Sequence, residues 1–211
     1  MSQLLDARLG AEDLQLAVFK NVVDHINEFV TAEELYGQTN IDPVLADLDH
    51  PERDVGTVTV ERFDVGNIHY GHRPSMIEAP IDNYPSVSVM VQHITPGSLN
   101  RVDYGGELTH RVVIETIVKA GPWREDKVDI DKVGEDIVGR RIKRTAEALF
   151  ALMKQYDAPG GLFLPPTLPA TVSWGDIFIR QEDGASGTGH RWYWQGARLE
   201  WQYAKQIVDA Y

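Results

Sequence analysis

The sequence predicts an α+β protein in which two long helices pack on one face of a mixed or mainly antiparallel sheet. Two segments, one near the N-terminus and one after residue 136, carry apolar residues at helical spacing. The other apolar segments have the two-residue period and the β-branched composition of strands. The order of helix, about three strands, helix and two strands lacks strand–helix alternation, which favours α+β over a parallel α/β arrangement.

The first helix is predicted from Ala11 to about Tyr36. Its buried face consists of apolar residues at a spacing of four: Leu14, Val18, Val22, Ile26 and Val30. This spacing gives a wide apolar face that must pack against a core. Thr31 and Glu34 have the spacing of a capping box, which indicates a break in the helix at that point.

Three strands are predicted before the second helix, at Thr57–Phe63, Ser86–Ile94 and Glu107–Ala120. The third has the clearest period of two. One of its faces carries Leu108, His110, Val112, Ile114 and Val118, and the other carries Arg111, Glu115 and Lys119. Gly121-Pro122 is expected to end this strand.

The second helix is predicted over Ile137–Met153, preceded by an acidic segment whose charges suit a helix N-terminus. Its apolar stripe comprises Val138, Ile142, Thr145, Leu149 and Leu152. Two further strands are predicted at Ala170–Arg180 and Arg191–Val208. The glycine-rich segment Glu182–Gly189 between them is expected to form a flexible turn.

The length of 211 residues predicts a single domain spanning 1–211, with an acidic helix and loop extension at about 1–56. Residues 1–54 hold 12 acidic and 3 basic residues, a net charge of −9, which leaves −3 for the remaining 157. This asymmetry indicates either one strongly negative surface or an ordinary solvated helix and loop.

Composition restricts the classes of function. The chain has no cysteine, so disulfides, thiolate metal sites and cysteine nucleophiles are excluded. The net charge of −12 opposes binding to nucleic acid backbones. The first residues lack a secretory signal and no apolar stretch approaches the length of a membrane span, so we expect a protein made in the cytoplasm.

Candidate metal and phosphate sites in the sequence are weak. His69 and His72 form an H-x-x-H pair without an evident third ligand. The acidic residues at Asp129, Asp131 and Glu135 lack the EF-hand pattern and suit a helix start. The segment Gly184–His190 lacks the Gly-Lys-Ser/Thr ending of a phosphate loop. We therefore expect no metal and no cofactor. An enzyme that uses buried carboxylates is the alternative, because no sequence can exclude paired carboxylates.

A dense basic cluster lies in the second predicted helix: Arg140, Arg141, Lys143 and Arg144. We expect these side chains to spread over the solvent side of the helix, opposite Val138. Such a face is usually only solvated, and the competing interpretation is a contact with nucleic acid or an acidic partner.

Two apolar features are predicted to form partner interfaces. Leu162, Phe163 and Leu164 lie in a proline-rich segment that cannot continue a helix, so they are expected to form an exposed docking loop, unless Phe163 fills the subunit core. Trp192 and Trp194 lie in the aromatic last strand. A shift at Gly196-Ala197 is expected to bring Leu199, Trp201 and Tyr203 onto one face. One side of the strand is expected to fill the core, and the other to contact a partner.

The order of elements resembles that of tail terminator and related neck proteins of tailed phages. The resemblance covers roughly residues 84–205 and rests on pattern rather than on a diagnostic motif. It is carried by a long N-terminal helix, the strands Tyr84–Val91 and His110–Ile117, an arginine-rich helix that ends in Ala146–Leu149, and a final aromatic hairpin.

This resemblance implies a structural virion protein without enzymatic activity. Subunits of this family form a ring, commonly hexameric, at the head-proximal end of the tail tube, where the ring stops tube growth and joins the neck. The implied partners are further copies of the chain, the tail tube protein and a neck or connector protein, and DNA passes through the lumen without specific binding. A head-completion or connector protein of the same neck is the nearest rival to this interpretation, and a cellular adaptor without a viral role is a more distant one.

Overall fold

The computed structural model describes residues 11–31, 60–72, 84–96, 106–124, 130–155, 171–182 and 189–207. Two α-helices and five strands lie in these segments. In chain order they are α1 (Ala11–Val30), β1 (Ile68–Tyr70), β2 (Ser86–Pro96), β3 (Gly106–Arg124), α2 (Ile130–Gln155), β4 (Thr171–Glu182) and β5 (His190–Ile207), with a short 3₁₀ turn at Val65–Asn67 before β1.

The five strands form one mixed sheet in the order β1-β2-β3-β5-β4. The β1–β2 pair is parallel and the other three pairs are antiparallel. β1 was not predicted. A strand was predicted over Thr57–Phe63, and of this range the structure describes residues 60–63. These four residues have no strand structure, so that part of the prediction is wrong. The chain instead enters the sheet at Ile68, which pairs with Val87.

α1 is stabilised by the predicted apolar face. Leu14, Val18, Val22 and Ile26 are buried at their spacing of four, and Glu12 and Asp13 lie in the first turn, where they complement the helix dipole. The helix ends at Val30, next to the break predicted at Thr31 and six residues before the outer boundary predicted at Tyr36. Beyond this end, the Thr31 hydroxyl donates a hydrogen bond to the Asn27 carbonyl at 2.7 Å.

β3 confirms the predicted alternation of faces. Val112, Ile114 and Val118 belong to the main core beneath the helices. The predicted stop at Gly121-Pro122 is wrong, because β3 continues to Arg124 through a register shift between Ala120 and Trp123. Gly121 has a φ of +121°, a conformation that other residues rarely adopt. A bulge of this kind also accommodates a proline, which has no amide hydrogen for the ladder.

The apolar stripe predicted for the second helix is confirmed. Val138, Ile142, Thr145, Leu149 and Leu152 are all 0% exposed. α2 begins at Ile130, earlier than predicted, and packs on β3 and β5. On β5, Leu199, Trp201 and Tyr203 are buried in the same core. The shift predicted at Gly196-Ala197 is wrong, because both residues pair with β3 in continuous register.

The predicted fold class is wrong. It expected two long helices packed on one face of the sheet. The described residues contain one long helix, the 26-residue α2. α1 is shorter, with 20 residues, and ends at Val30. α2 packs on the central strands, while α1 packs on α2 and on β1 and β2, near one edge of the sheet. The architecture is roughly α+β, with a five-stranded mixed sheet.

Neither helix in the described segments combines the length and the hydrophobicity needed to cross a bilayer.

Candidate functional site: the β4 edge strand

β4 forms one edge of the sheet. It runs for 12 residues and pairs on one side with β5. No other strand among the described segments pairs with it. An edge strand of this length presents unpaired backbone donors and acceptors, which other chains can bind by adding a strand.

β4 also carries an unusual amount of exposed apolar surface. Its exposed side chains are Val172 (37%), Trp174 (49%), Phe178 (51%) and Ile179 (51%). These make up four of the eight exposed large hydrophobic residues in the described part of the chain. By contrast, Val113 of β3 and Ser88 of β2, on the sheet face opposite the helices, are fully buried. Exposed apolar side chains concentrated on one element indicate a candidate interaction site.

Three of these side chains lie on the helix side of the sheet. Directly paired residues share a face, and Val172, Trp174 and Ile179 pair with Leu199, Ala197 and Tyr193, which are all core residues. α2 packs on β5, one strand further in. Val172, Trp174 and Ile179 therefore form an apolar stripe beyond the helix layer, called the β4 stripe below.

A small cavity of about 230 Å³ lies beside β4. Gly175 and Gly196 line this cavity. A side chain on Gly175 would approach the Gly196 carbonyl oxygen to 3.4 Å. Trp174 and Phe178 also line it. Its volume is below the roughly 300–1,000 Å³ of ordinary small-molecule sites. The cavity suits a single side chain of a partner better than a cofactor.

An ion-pair ladder borders this cavity. The Arg198 guanidinium contacts Glu115 at 3.4 Å and Glu200 at 2.7 Å, and Arg111 contacts Glu200 at 3.6 Å. Each charge in the ladder has an oppositely charged neighbour. The ladder contains two positive and two negative side chains, so it adds no net charge beside the cavity.

The two tryptophans predicted at an interface are placed inside or partly inside the subunit. Trp194 is 7% exposed, packs with Ile117 and meets the Tyr84 ring edge-on at 6.2 Å between centroids. Trp192 is half-buried, with the Lys119 ammonium 5.4 Å from its ring centroid. The exposed aromatic residues of this hairpin are instead Trp174 and Phe178, which sequence reasoning did not select.

The four basic residues of the second helix were predicted to lie on its solvent side. This prediction is wrong for three of the four. Arg140 pairs with Asp136 at 2.7 Å. The Arg141 guanidinium donates to the Lys119 carbonyl at 2.6 Å and to Glu61 at 3.0 Å. Arg144 is 6% exposed. Lys143 alone of the four is exposed, so the cluster stabilises the fold and offers little positive surface to a partner.

The remaining predicted site residues fall outside the described segments or carry no site. Leu162, Phe163 and Leu164 lie outside the described residues, so their docking role stays a prediction. His69 is partly buried in β1 and His72 is exposed just after it. Within the described segments, no group of three or more histidine, aspartate or glutamate side chains is placed to hold a metal ion.

Comparison of the chain with protein-family models and with curated proteins finds no match.

Proposed function

We propose that this chain is a structural subunit that assembles with further copies of itself into a ring through β4. The specific form of this proposal is a tail terminator of a tailed phage, the family that the sequence resembles. In that role the ring ends the tail tube and contacts the neck, and the chain has no enzymatic activity.

The observation that carries the proposal is the exposed apolar surface of β4. Burying a large apolar side chain contributes about 1.5–3 kcal/mol. Since Trp174, Phe178 and Ile179 are already about half-buried, each has about 1 kcal/mol left to contribute at an interface. An assembly subunit needs this kind of surface, and a monomer would gain solubility by replacing it.

This surface by itself supports only modest affinity. The apolar side chains of β4 together contribute roughly 4 kcal/mol, whereas a micromolar dissociation constant corresponds to about 8 kcal/mol. Backbone pairing along β4, a second contact in a closed ring, or a template such as the end of a tail tube would supply the remainder. Assembly is therefore expected to depend on concentration or on the template.

The charges of the molecule are compatible with a ring around DNA. The net charge of −12 limits attraction to phosphates. Arg140 and Arg141, whose charges would attract DNA on an open surface, are held in ion pairs within the subunit. A lumen formed by such subunits would let DNA pass without retaining it.

Imaging tests the proposed function. Negative-stain microscopy of the purified chain over a concentration series should show rings with a central opening, and antibody labelling of the phage particle should place the chain at the junction of head and tail. A chain that is monomeric at every concentration and present as a single copy in the particle would contradict the proposal.

A further inference from the structure

β4 contains a bulge beside β5. The pairing register shifts between Trp174 and Ile177, and in this interval Gly175 and Asp176 lie opposite Gly196 alone. Bulges are frequent at sheet edges and beside active sites, where they redirect a side chain. At this bulge, Asp176 becomes one of the residues that line the cavity beside β4.

The residue opposite the bulge is a glycine with unused space around it. Gly196 lines the cavity. A Cβ atom at this position would meet the Thr116 carbonyl oxygen at 3.5 Å and the Ile117 Cγ1 atom at 3.6 Å, which are ordinary contact distances. The chain therefore leaves room here that a side chain from a partner can occupy.

Two exposed aromatic rings line the same cavity. Trp174 and Phe178 are each about half-exposed. Aromatic faces attract cations, and tryptophan does so most strongly. Apolar surface of this kind also packs against the methylene stem of a long basic side chain. These walls suit a cation with an apolar stem.

The charged residues around the cavity have a surplus of one negative charge. Among the lining residues, Arg198 carries one positive charge, and Glu115 and Asp176 carry two negative charges. The next two members of the ladder, Glu200 and Arg111, add one charge of each sign. Arg198 contacts both glutamates, whereas no cation in the described segments contacts Asp176. The exposed carboxylate of Asp176 is therefore open to a positive group.

Charge, aromatic walls and available space together restrict the occupant. We propose that the cavity binds the arginine side chain of a partner polypeptide that lies along β4. Its guanidinium pairs with Asp176 and stacks on the ring of Trp174. A guanidinium can do both, because it is planar and weakly hydrated, whereas a lysine ammonium is a strongly hydrated point charge. The inference goes beyond self-assembly, since it concerns the chemistry of the partner at this position.

Other occupants fit the cavity less well. A carboxylate side chain would meet the surplus of negative charge. An apolar side chain would remove water from Asp176 without giving it a partner, which is costly for a charged group. A metal ion is not supported, because the described segments contain no group of three or more side chains placed to bind one.

Fluorescence anisotropy with labelled peptides tests the inference. The probe is a short peptide of threonine and valine with a central arginine, to which the dilute chain is added. A second peptide carries citrulline in place of arginine, which keeps the shape and removes the charge. The arginine peptide should bind about tenfold more tightly than the citrulline peptide. Equal affinities, or no binding of either peptide, would overturn the inference.

Two variants separate the effect of charge from that of space. Asp176→Asn should weaken binding of the arginine peptide about threefold and leave the citrulline peptide unaffected. Gly196→Ala should fold, because the distances around position 196 allow a methyl group, and it should bind both peptides more weakly. Asp24→Asn makes the same charge change at an exposed position of α1 and should bind as the wild type does. If Asp176→Asn kept the full preference for arginine, the inference would be wrong.

Sedimentation of the same samples keeps this test separate from the proposed function. Rings formed by a chain without a preference for the arginine peptide would overturn the inference and leave self-assembly intact. A preference for arginine in a chain that stays monomeric, both alone and with tail tubes, would support the inference and contradict the proposed assembly.

Discussion

The side-chain amide of Asn27 forms two hydrogen bonds with the backbone of Phe63. Its Nδ2 atom donates to the Phe63 carbonyl at 2.9 Å, and its Oδ1 atom accepts from the Phe63 amide at 2.8 Å. Phe63 itself is 2% exposed. This pairing attaches the segment before β1 to α1, so that it helps to position the strand that carries Tyr70.

Asn27→Ala should therefore lower the free energy of unfolding by about 1–3 kcal/mol, because two backbone groups of a part-buried segment lose their partners. Chemical denaturation measures the change. The control is Asp24→Ala, an exposed position on the same helix, which should change the free energy by less than about 0.5 kcal/mol. Equal values for the two variants would contradict the role of Asn27.

Gly134 lies against the ring of Tyr193, where α2 comes close to β5. A methyl group at position 134 would overlap this ring, and Tyr193 is 0% exposed and cannot move aside freely. Gly134→Ala should cost about 1–3 kcal/mol of folding free energy through overpacking. Thermal and chemical unfolding of the variant measure the loss.

Gly139 provides the matched control for Gly134. A methyl group there would lie 3.7 Å from the nearest atom, the side-chain oxygen of Gln195, which is ordinary contact. Gly139→Ala should stabilise the protein by up to about 1 kcal/mol, since alanine is the better helix former. If both substitutions changed the free energy of unfolding in the same direction, the close approach of α2 to β5 would be refuted.

Arg141 is expected to stabilise the folded chain. Arg141→Ala removes the hydrogen bonds to the Lys119 carbonyl and to Glu61, and hydrogen bonds of charged groups contribute about 1.5–3 kcal/mol. We expect a loss of about 2 kcal/mol in equilibrium unfolding. Lys143→Ala, on the exposed side of the same helix, should leave stability nearly unchanged; a larger effect at Lys143 than at Arg141 would contradict this assignment.

DNA affinity is expected to be weak at physiological salt. The net charge of −12 repels phosphates, and the cluster leaves Lys143 exposed while its three arginines are mostly covered. Fluorescence anisotropy with a duplex should therefore give no sub-micromolar binding. Tight binding that is lost in Lys143→Glu would show that the chain grips DNA.

The regular elements were predictable where burial imposes a strong period. In β3, Val112 and Ile114 lie on one face and the charged residues Arg111 and Glu115 lie on the other. In α2, Val138 and Ile142 follow the helical period. Each pattern therefore identified a buried face. β1 was not predictable, because three residues are too few to show a period. Its place in the sheet depends on pairing with β2, which the local sequence does not encode.

The candidate site was only partly predictable, because it depends on strand order. Trp194 and Trp174 both lie in aromatic strands, but β5 is central and β4 is at the edge. This order buries Trp194 and exposes Trp174. The sequence likewise cannot show that Glu61 lies beside Arg141, 80 positions away along the chain.

Assembly through β4 is tested most directly by sedimentation analysis of the wild type and Trp174→Lys across a concentration series. The control is Gln202→Lys, which makes the same charge change at an exposed position on β5. Trp174→Lys should lose about 1 kcal/mol of folding free energy or less, because half of its side chain is already exposed. The wild type and the control should sediment as rings, and Trp174→Lys as a folded monomer. If Trp174→Lys forms the same oligomer as the wild type, β4 is not the assembly surface. A wild type that remains a monomer at every concentration, both alone and with tail tubes, would contradict assembly itself.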